Sequence, residues 1–84
     1  MANKILVVDD EPNIVMSLEF LMKQAGFRVR TASDGEAALA AIAAEPPDLV
    51  LLDVMMPRKN GYEVCQAIRA NVDGKRIRII MWNA

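Results

Sequence analysis

Two short apolar runs that each end in acidic residues constrain this chain more than any other feature. Residues 5–8 (Ile-Leu-Val-Val) lead into Asp9 and Asp10, and residues 49–52 (Leu-Val-Leu-Leu) lead into Asp53. Aliphatic runs of this length are typical of strands that are buried on both faces of a parallel sheet. Ligands of open α/β sheets bind beyond the carboxyl ends of such strands, so we expect the three carboxylates to meet at one edge.

Three carboxylates held together repel one another and raise each other's pKa unless a cation lies between them. A hard divalent ion with oxygen ligands suits such a group, so the pattern favours a site for Mg²⁺, or for Mn²⁺ in its place. The alternative is that acids end buried strands only because the chain returns to solvent. The same chemistry at two strand ends favours the functional interpretation.

Composition excludes several classes of protein. The 84 residues are enough for a single domain, which we place at 1–84. With Cys65 as the only cysteine and no histidine, the chain offers neither an internal disulfide nor the usual nitrogen and sulfur ligands of zinc. No apolar stretch approaches the ~20 residues of a membrane span and no signal peptide is evident, so we expect a cytoplasmic protein without membrane contact. A net charge of −1 makes nucleic acid an unexpected partner.

The rest of the chain alternates helical segments with short apolar runs, which indicates a parallel α/β sheet. We predict a first helix from Pro12 to a stop at Gly26, with its inner face formed by residues 14, 18, 21 and 25. A strand over 27–31 follows. Ser33 and Glu36 have capping-box spacing and are predicted to open a second helix that ends at residue 44.

The second half repeats this alternation. A third strand is predicted over 48–52 and a fourth over 77–82, after a turn at Asp73 and Gly74. Asn60, with Glu63 three residues later, is predicted to cap a third helix. We expect that helix to face inward through Val64, Cys65 and Ile68.

Three segments together resemble the receiver domain of two-component response regulators. They are residues 4–12 (KILVVDDEP), residues 47–57 (PDLVLLDVMMP) and residues 60–63 (NGYE). The resemblance implies a flavodoxin-like, doubly wound parallel sheet of the α/β class. Because it extends only to the fourth strand, we expect a truncated form with strand order 2-1-3-4 and helices 1–3, in which the fifth strand and last two helices are absent.

The resemblance also implies a role for each acidic residue. Asp53 is the expected phosphoacceptor, which takes a phosphoryl group from a sensor histidine kinase or a phosphotransfer protein. Asp10 is the expected direct ligand of Mg²⁺ and Asp9 is expected to help hold it through water. Asp53 and the backbone carbonyl of Met55 complete the expected ligand set. Such a module is a signalling domain rather than an enzyme.

Two departures from the family lead us to expect impaired switching. Asn83 stands where the family carries a Ser or Thr hydroxyl, and the family's lysine at the end of strand five has no counterpart. An interaction or dimerisation module that is not phosphorylated, on the same scaffold, therefore stays open. An aspartyl-phosphate hydrolase is disfavoured, because Met55 stands where such an enzyme needs a second acid.

We also expect a homodimer or higher oligomer. One helix about 10 Å wide covers roughly two strands spaced ~4.8 Å apart, so the first helix leaves the third and fourth strands largely bare on its side. The fourth strand is also predicted to be an exposed apolar edge, which is a template for pairing with another chain. The residues of that predicted edge are Ile77, Ile79, Ile80, Met81 and Trp82.

Overall fold

The computed structural model describes residues 3–56, 60–70 and 76–82 and contains strands and helices in strict alternation. In chain order they are β1 (Lys4–Val8), α1 (Pro12–Gln24), β2 (Arg28–Ala32), α2 (Gly35–Ala44), β3 (Leu49–Asp53), α3 (Gly61–Ala70) and β4 (Arg78–Trp82). The predicted bounds of β2, β3 and β4 differ from these by one residue.

All four strands are parallel and lie in the order β2-β1-β3-β4. This confirms the predicted fold class and strand order. In the register between neighbouring strands, Val8 lies beside Leu52, and Asp53 lies beside Trp82. The carboxyl ends of β1 and β3 are therefore adjacent, which places the residues that follow β1 next to the end of β3.

The main core lies between one face of the sheet and helices α2 and α3. Its buried members are Leu6, Val8, Ala32, Ala38, Val50, Leu52, Met56, Val64, Ile68 and Ile77. Cys65 is half-buried against this core, as the pattern of α3 predicts. Ile77, which was predicted to be exposed on an edge strand, is only 3% exposed. That prediction was wrong because Ile77 precedes β4 and its side chain packs into the core.

On the opposite face, α1 is the one helix among the described residues, and it contacts β1 and β2. It has no fully buried residue. The prediction of its inner face was partly wrong: Ile14 and Leu18 are half-buried, but Leu21 is 55% exposed and Ala25 is exposed. Met22 is half-buried in their place. Ile14 and Leu18 lie on the side of α1 towards β3 and β4, where they line a groove with Leu51, Ile80 and Trp82.

The helix ends follow the predicted signals with one exception. Gly26, at a φ of 97°, ends the α1 region as predicted. Asn60 and Glu63 form the predicted reciprocal cap of α3, with the Glu63 N–H donating to Asn60 Oδ1 over 3.0 Å. Helix α2 is capped by Asp34 rather than Ser33, because the Asp34 carboxylate accepts from the Ala37 N–H at 2.7 Å. An ionised acceptor forms the stronger bond at the positive end of a helix.

Across the part of the chain that the structure describes, no helix has the length and apolar character needed to cross a membrane.

Candidate metal centre

Three carboxylates meet at the carboxyl edge of the sheet. Asp9 follows β1, Asp53 is the last residue of β3, and Asp10 lies beside Asp9 on the way to α1. One carboxylate oxygen from each of the three lies within 4.8 Å of the others. The adjacency of β1 and β3 produces this cluster, which is what the two acid-terminated runs of the sequence predict.

Two matching turns hold the buried members of the cluster. The Glu11 N–H donates to Asp9 Oδ1 over 2.8 Å, and the Met55 N–H donates to Asp53 Oδ1 over 2.9 Å. In both turns the carboxylate accepts from the backbone two residues later, which is a common local turn of aspartate. Each turn fixes one carboxylate oxygen, so the orientation of both side chains is set by the backbone before any ligand binds.

The electrostatics of the cluster are unfavourable without a cation. Asp9 is 1% exposed and Asp53 is 2% exposed. Burial raises the pKa of Asp9, and the negative charges of Asp53 and Asp10 raise it further, against the opposing hydrogen bond from the Glu11 N–H. Asp9 Oδ2 is buried and has no hydrogen-bond partner among the described residues. A buried carboxylate oxygen without a donor is costly, and a bound cation would remove that cost.

The donor set fits a hard divalent ion. It consists entirely of oxygen atoms, it brings up to three negative charges, and it is open at Asp10, which is exposed. Mg²⁺ is held in proteins by one or two carboxylates and keeps several waters, so an exposed third carboxylate and a solvent-facing side suit it well. The chemistry of the residues therefore matches the predicted ion.

Val54, the first residue after β3, is hydrogen-bonded through both its backbone N–H and its carbonyl group. The Val54 N–H donates to the Trp82 carbonyl over 3.0 Å, and the Gly61 N–H donates to the Val54 carbonyl over 3.1 Å. A Cβ at Gly61 would lie 2.6 Å from Val54 Cα and 2.8 Å from the Asp53 carbonyl oxygen. Only glycine allows α3 to begin this close to the backbone that carries Asp53.

Sequence analysis missed the part that Trp82 plays at this edge of the sheet. Trp82 lies beside Asp53 in the register, and its carbonyl holds the residue that follows Asp53. No sequence pattern signals this contact, because it is made by a backbone atom. Only the strand register could have revealed it.

The remaining predicted site residues have different outcomes. Met55 lies in the turn after Asp53 with an exposed side chain, and its backbone carbonyl stays a predicted ligand. Asn83 lies outside the described residues, as do Asp73 and Gly74 of the predicted turn.

Comparison with known proteins decides which family this arrangement represents. A family model described as the response regulator receiver domain matches residues 5–84. The chain belongs to this family. The receiver domain identified from three sequence segments is thus confirmed over nearly the whole chain, including the strand order.

Curated relatives of this receiver domain are longer proteins. The alkaline phosphatase synthesis transcriptional regulatory protein PhoP of Bacillus subtilis is 52% identical over 69 residues, which cover 82% of this chain and 29% of PhoP. The probable transcriptional regulator ycf27 of Cyanophora paradoxa is 52% identical over 81 residues, which cover 96% of this chain and 33% of the relative. The chain therefore spans about a third of the length of these relatives.

Solved structures of receiver domains superimpose closely on this one. The N-terminal domain of a response regulator receiver protein from Methanoculleus marisnigri has a TM-score of 0.91 and 41% identity, with 96% of this chain and 66% of that chain covered. The response regulator TrrA of Thermotoga maritima, solved in complex with Mg²⁺-BeF, has a TM-score of 0.87 and 42% identity, with coverage of 94% and 67%.

Proposed function

We propose that this receiver domain accepts a phosphoryl group on Asp53 while Mg²⁺ is bound at the acidic edge. The observation that carries the proposal is the cluster of three carboxylates within 4.8 Å, together with the buried Asp9 Oδ2 that has no partner among the described residues. The cluster has the charge and geometry to hold a cation directly beside the acceptor oxygen of Asp53.

The proposed site contains ligands of the ion and an acceptor of the phosphoryl group. Asp9, Asp10, Asp53 and the Met55 carbonyl would hold the ion. When bound, Mg²⁺ neutralises charge on the phosphoryl oxygens. An Asp53 carboxylate oxygen attacks phosphorus in line with the phosphorus–nitrogen bond of a phosphohistidine, an acyl phosphate forms, and the imidazole leaves. The Met55 N–H holds Asp53 Oδ1 over 2.9 Å, so the carboxylate is oriented before the donor arrives.

The partner proposed for this reaction is a sensor histidine kinase or a phosphotransfer protein. Membership of the receiver family supports this choice, and the TrrA complex with Mg²⁺-BeF supports Mg²⁺ as the ion. We propose a signalling module in the cytoplasm rather than an enzyme that turns over a substrate. PhoP and ycf27 bear the names of transcriptional regulators, which supports a place for this domain in a regulator.

Several finer expectations stay predictions. The expectation of impaired switching rests in part on Asn83, which lies outside the described residues. The interaction module that is not phosphorylated is the alternative function. It would need the fold of the domain but not the chemistry of Asp53, so one experiment separates the two.

The chain is incubated with acetyl phosphate and Mg²⁺, and the intact mass is measured. We expect the addition of one phosphoryl group. No addition should take place when Mg²⁺ is chelated from the start or when Asp53 is changed to Ala. Asp48→Ala is the matched control, because Asp48 immediately precedes the same strand at its opposite end. A folded protein that takes up no phosphoryl group would favour the interaction module, and uptake that survives Asp53→Ala would remove Asp53 from the proposed role.

A further inference from the structure

A small cavity at the amino edge of the sheet is lined by more positive than negative charge. It has a volume of about 170 Å³ and is formed by the first residues of β1, by β2 and by the end of α2. Its lining residues are Lys4, Arg28, Val29, Arg30 and Glu45. Lys4 precedes Asp9 by five residues of extended chain, or roughly 16 Å, so the cavity is separate from the acidic cluster at the carboxyl edge.

The strand register brings the three cationic side chains to one face of the sheet. Lys4 lies directly beside Arg28, and Arg30 follows Arg28 by two residues, which places it on the same face. Like charges that lie opposite each other on neighbouring strands destabilise a sheet. Among the described lining residues, Glu45 carries the only carboxylate, and its Oε2 lies 3.5 Å from Lys4 Nζ. Arg28 is exposed and has no ion-pair partner in the described part of the chain.

The end of α2 holds the guanidinium of Arg30 in place. Arg30 Nη1 donates to the Ala41 carbonyl over 3.0 Å, and Arg30 Nη2 donates to the Glu45 carbonyl. A guanidinium has five N–H donors, so these two bonds leave other donors of Arg30 for a ligand. Arg30 is half-buried and lines the cavity. Its planar group is therefore oriented beside the cavity before any ligand binds.

The charges around the cavity do not cancel. Three cations face the Glu45 carboxylate and the carboxyl end of α2, and the helix end is equivalent to roughly half a negative charge. A surplus of about 1.5 positive charges therefore remains. A phosphate monoester carries about −1.5 to −2 charges at pH 7, and each of its three terminal oxygens is a strong acceptor. Its charge and its acceptors match the surplus and the number of cations.

We propose that this cavity binds a phosphate group, either of a small phosphate monoester or of inorganic phosphate, through Lys4, Arg28 and Arg30. The bound anion removes the repulsion between Lys4 and Arg28, and the guanidinium of Arg30 donates to it with a geometry that suits phosphate. A cavity of about 170 Å³ is smaller than the pockets that enclose drug-sized ligands, so it admits little more than the phosphate group. Because Asp53 lies at the opposite edge of the sheet, this ligand is distinct from the phosphoryl group of the proposed transfer reaction.

The test is a titration of the ¹⁵N-labelled chain with inorganic phosphate, followed by ¹H–¹⁵N NMR at pH 7. EDTA is present, so that no divalent ion can recruit phosphate to the acidic edge, and sodium chloride keeps the ionic strength constant. We expect saturable shifts of the backbone amides around the cavity, with no comparable shifts at Asp9 and Asp53. Shifts that grow linearly without saturation would overturn the proposal, as would saturable shifts confined to the acidic edge.

Three variants locate the binding site. Arg28→Gln should raise the dissociation constant about tenfold, the scale of one lost hydrogen bond to a charged group. The matched control is Arg78→Gln, which removes the same charge from another exposed arginine at the amino edge, outside the cavity, and should leave the dissociation constant nearly unchanged. Glu45→Gln should tighten binding, because its carboxylate competes for Lys4 while the backbone carbonyl that holds Arg30 stays in place. Far-UV circular dichroism verifies that all three variants are folded.

A comparison of anions tests the class of ligand. Methyl phosphate and inorganic phosphate should both bind, and the one that binds more tightly identifies the source of the phosphate group. Acetate carries a single charge and two oxygens, so it should bind at least about tenfold more weakly. Acetate binding as tight as that of the phosphates would overturn the proposal. Equal weakening by Arg28→Gln and Arg78→Gln, or weaker binding in Glu45→Gln, would overturn it as well.

Discussion

Aspartates at the amino and carboxyl edges of this sheet have opposite electrostatic environments. At the amino edge, Asp48 accepts hydrogen bonds from the Asn3 and Lys4 backbone N–H groups at 3.0 and 2.9 Å, and these bonds lower its pKa. At the carboxyl edge, Asp9 accepts one such bond, but burial and the charges of Asp53 and Asp10 raise its pKa. One edge satisfies its carboxylate with backbone donors, and the other crowds its carboxylates together.

The difference separates a structural aspartate from one for which we propose a function. Asp48 ties the start of β3 to the residues around the start of β1, so its charge is used within the fold. Asp9 has one buried oxygen without a hydrogen-bond partner among the described residues. The charge on this oxygen can therefore stabilise the fold only when a cation is bound. Perturbed carboxylates in which like charges and burial act together are candidates for function.

The largest effect on stability is expected from substitution of two glycines. Gly61 lies at the carboxyl edge of the sheet and Gly26 lies towards the amino edge. Gly61→Ala puts a methyl group against Val54 Cα and the Asp53 carbonyl, so we expect a loss of about 3 kcal/mol, at the upper end of typical overpacking. Gly26→Ala is the control, because its space is open and only its φ of 97° is unfavourable. We expect it to cost about 1 kcal/mol. Chemical denaturation of both variants, with and without Mg²⁺, should show a weakened Mg²⁺ response for Gly61→Ala alone.

A smaller effect of opposite sign is expected from Asp9→Asn. The amide oxygen can still accept from the Glu11 N–H, while the repulsion from Asp53 and Asp10 is removed. Without divalent ions we expect a gain of about 2 kcal/mol in the free energy of unfolding. One pair of unit charges 5 Å apart near a protein surface repels by roughly 3 kcal/mol, and salt screens part of this repulsion. Urea denaturation in EDTA measures this gain. If Asp9→Asn instead destabilised the metal-free protein, the crowding of charge would not be the dominant feature of this edge.

At the other edge, Asp48→Asn should lower stability, by less than Asp9→Asn raises it. The amide oxygen still accepts hydrogen bonds, but the bonds from the Asn3 and Lys4 N–H groups lose their charge. The Mg²⁺ response should be the same as in the wild type, because Asp48 lies at the far end of β3. A changed Mg²⁺ response in this variant would mean that the two edges are not independent.

The smallest effect is the dependence of stability on pH. A lowered pKa at Asp48 contributes stability that is present above the unfolded value of 3.8 and is lost as the pH falls through the folded pKa. A raised pKa at Asp9 acts in reverse, so the stability of the metal-free protein falls as the pH rises from 3.8 through the folded pKa. Stability differences between wild type and each Asn variant, measured from pH 3 to 7, should therefore have opposite slopes. Slopes of the same sign would contradict the contrast.

The sequence was sufficient to predict the acidic edge, because a strand's carboxyl end is fixed by chain direction and parallel strands share that direction. It was sufficient for the cap of α3 at Asn60 and failed for the cap of α2, where Ser33 and Asp34 are both good capping residues and only the local backbone selects the carboxylate. The exposure of Leu21 could not be predicted, because helical periodicity defines an apolar stripe but not which strands lie beneath it. The contact between Val54 and the Trp82 carbonyl depends on strand register, which is not encoded in residue types.

The binding of a divalent ion at the carboxyl edge is the claim on which the rest depends, and a thermal melt with and without Mg²⁺ tests it most directly. With Mg²⁺ at ten times its dissociation constant, we expect a gain of about 1.4 kcal/mol in the free energy of unfolding. For a domain of this size that gain raises Tm by roughly 6 to 11 °C. Asp48→Asn should retain the shift and Asp9→Asn should lose most of it. A folded wild-type protein whose melt is unchanged in millimolar Mg²⁺ would contradict the claim.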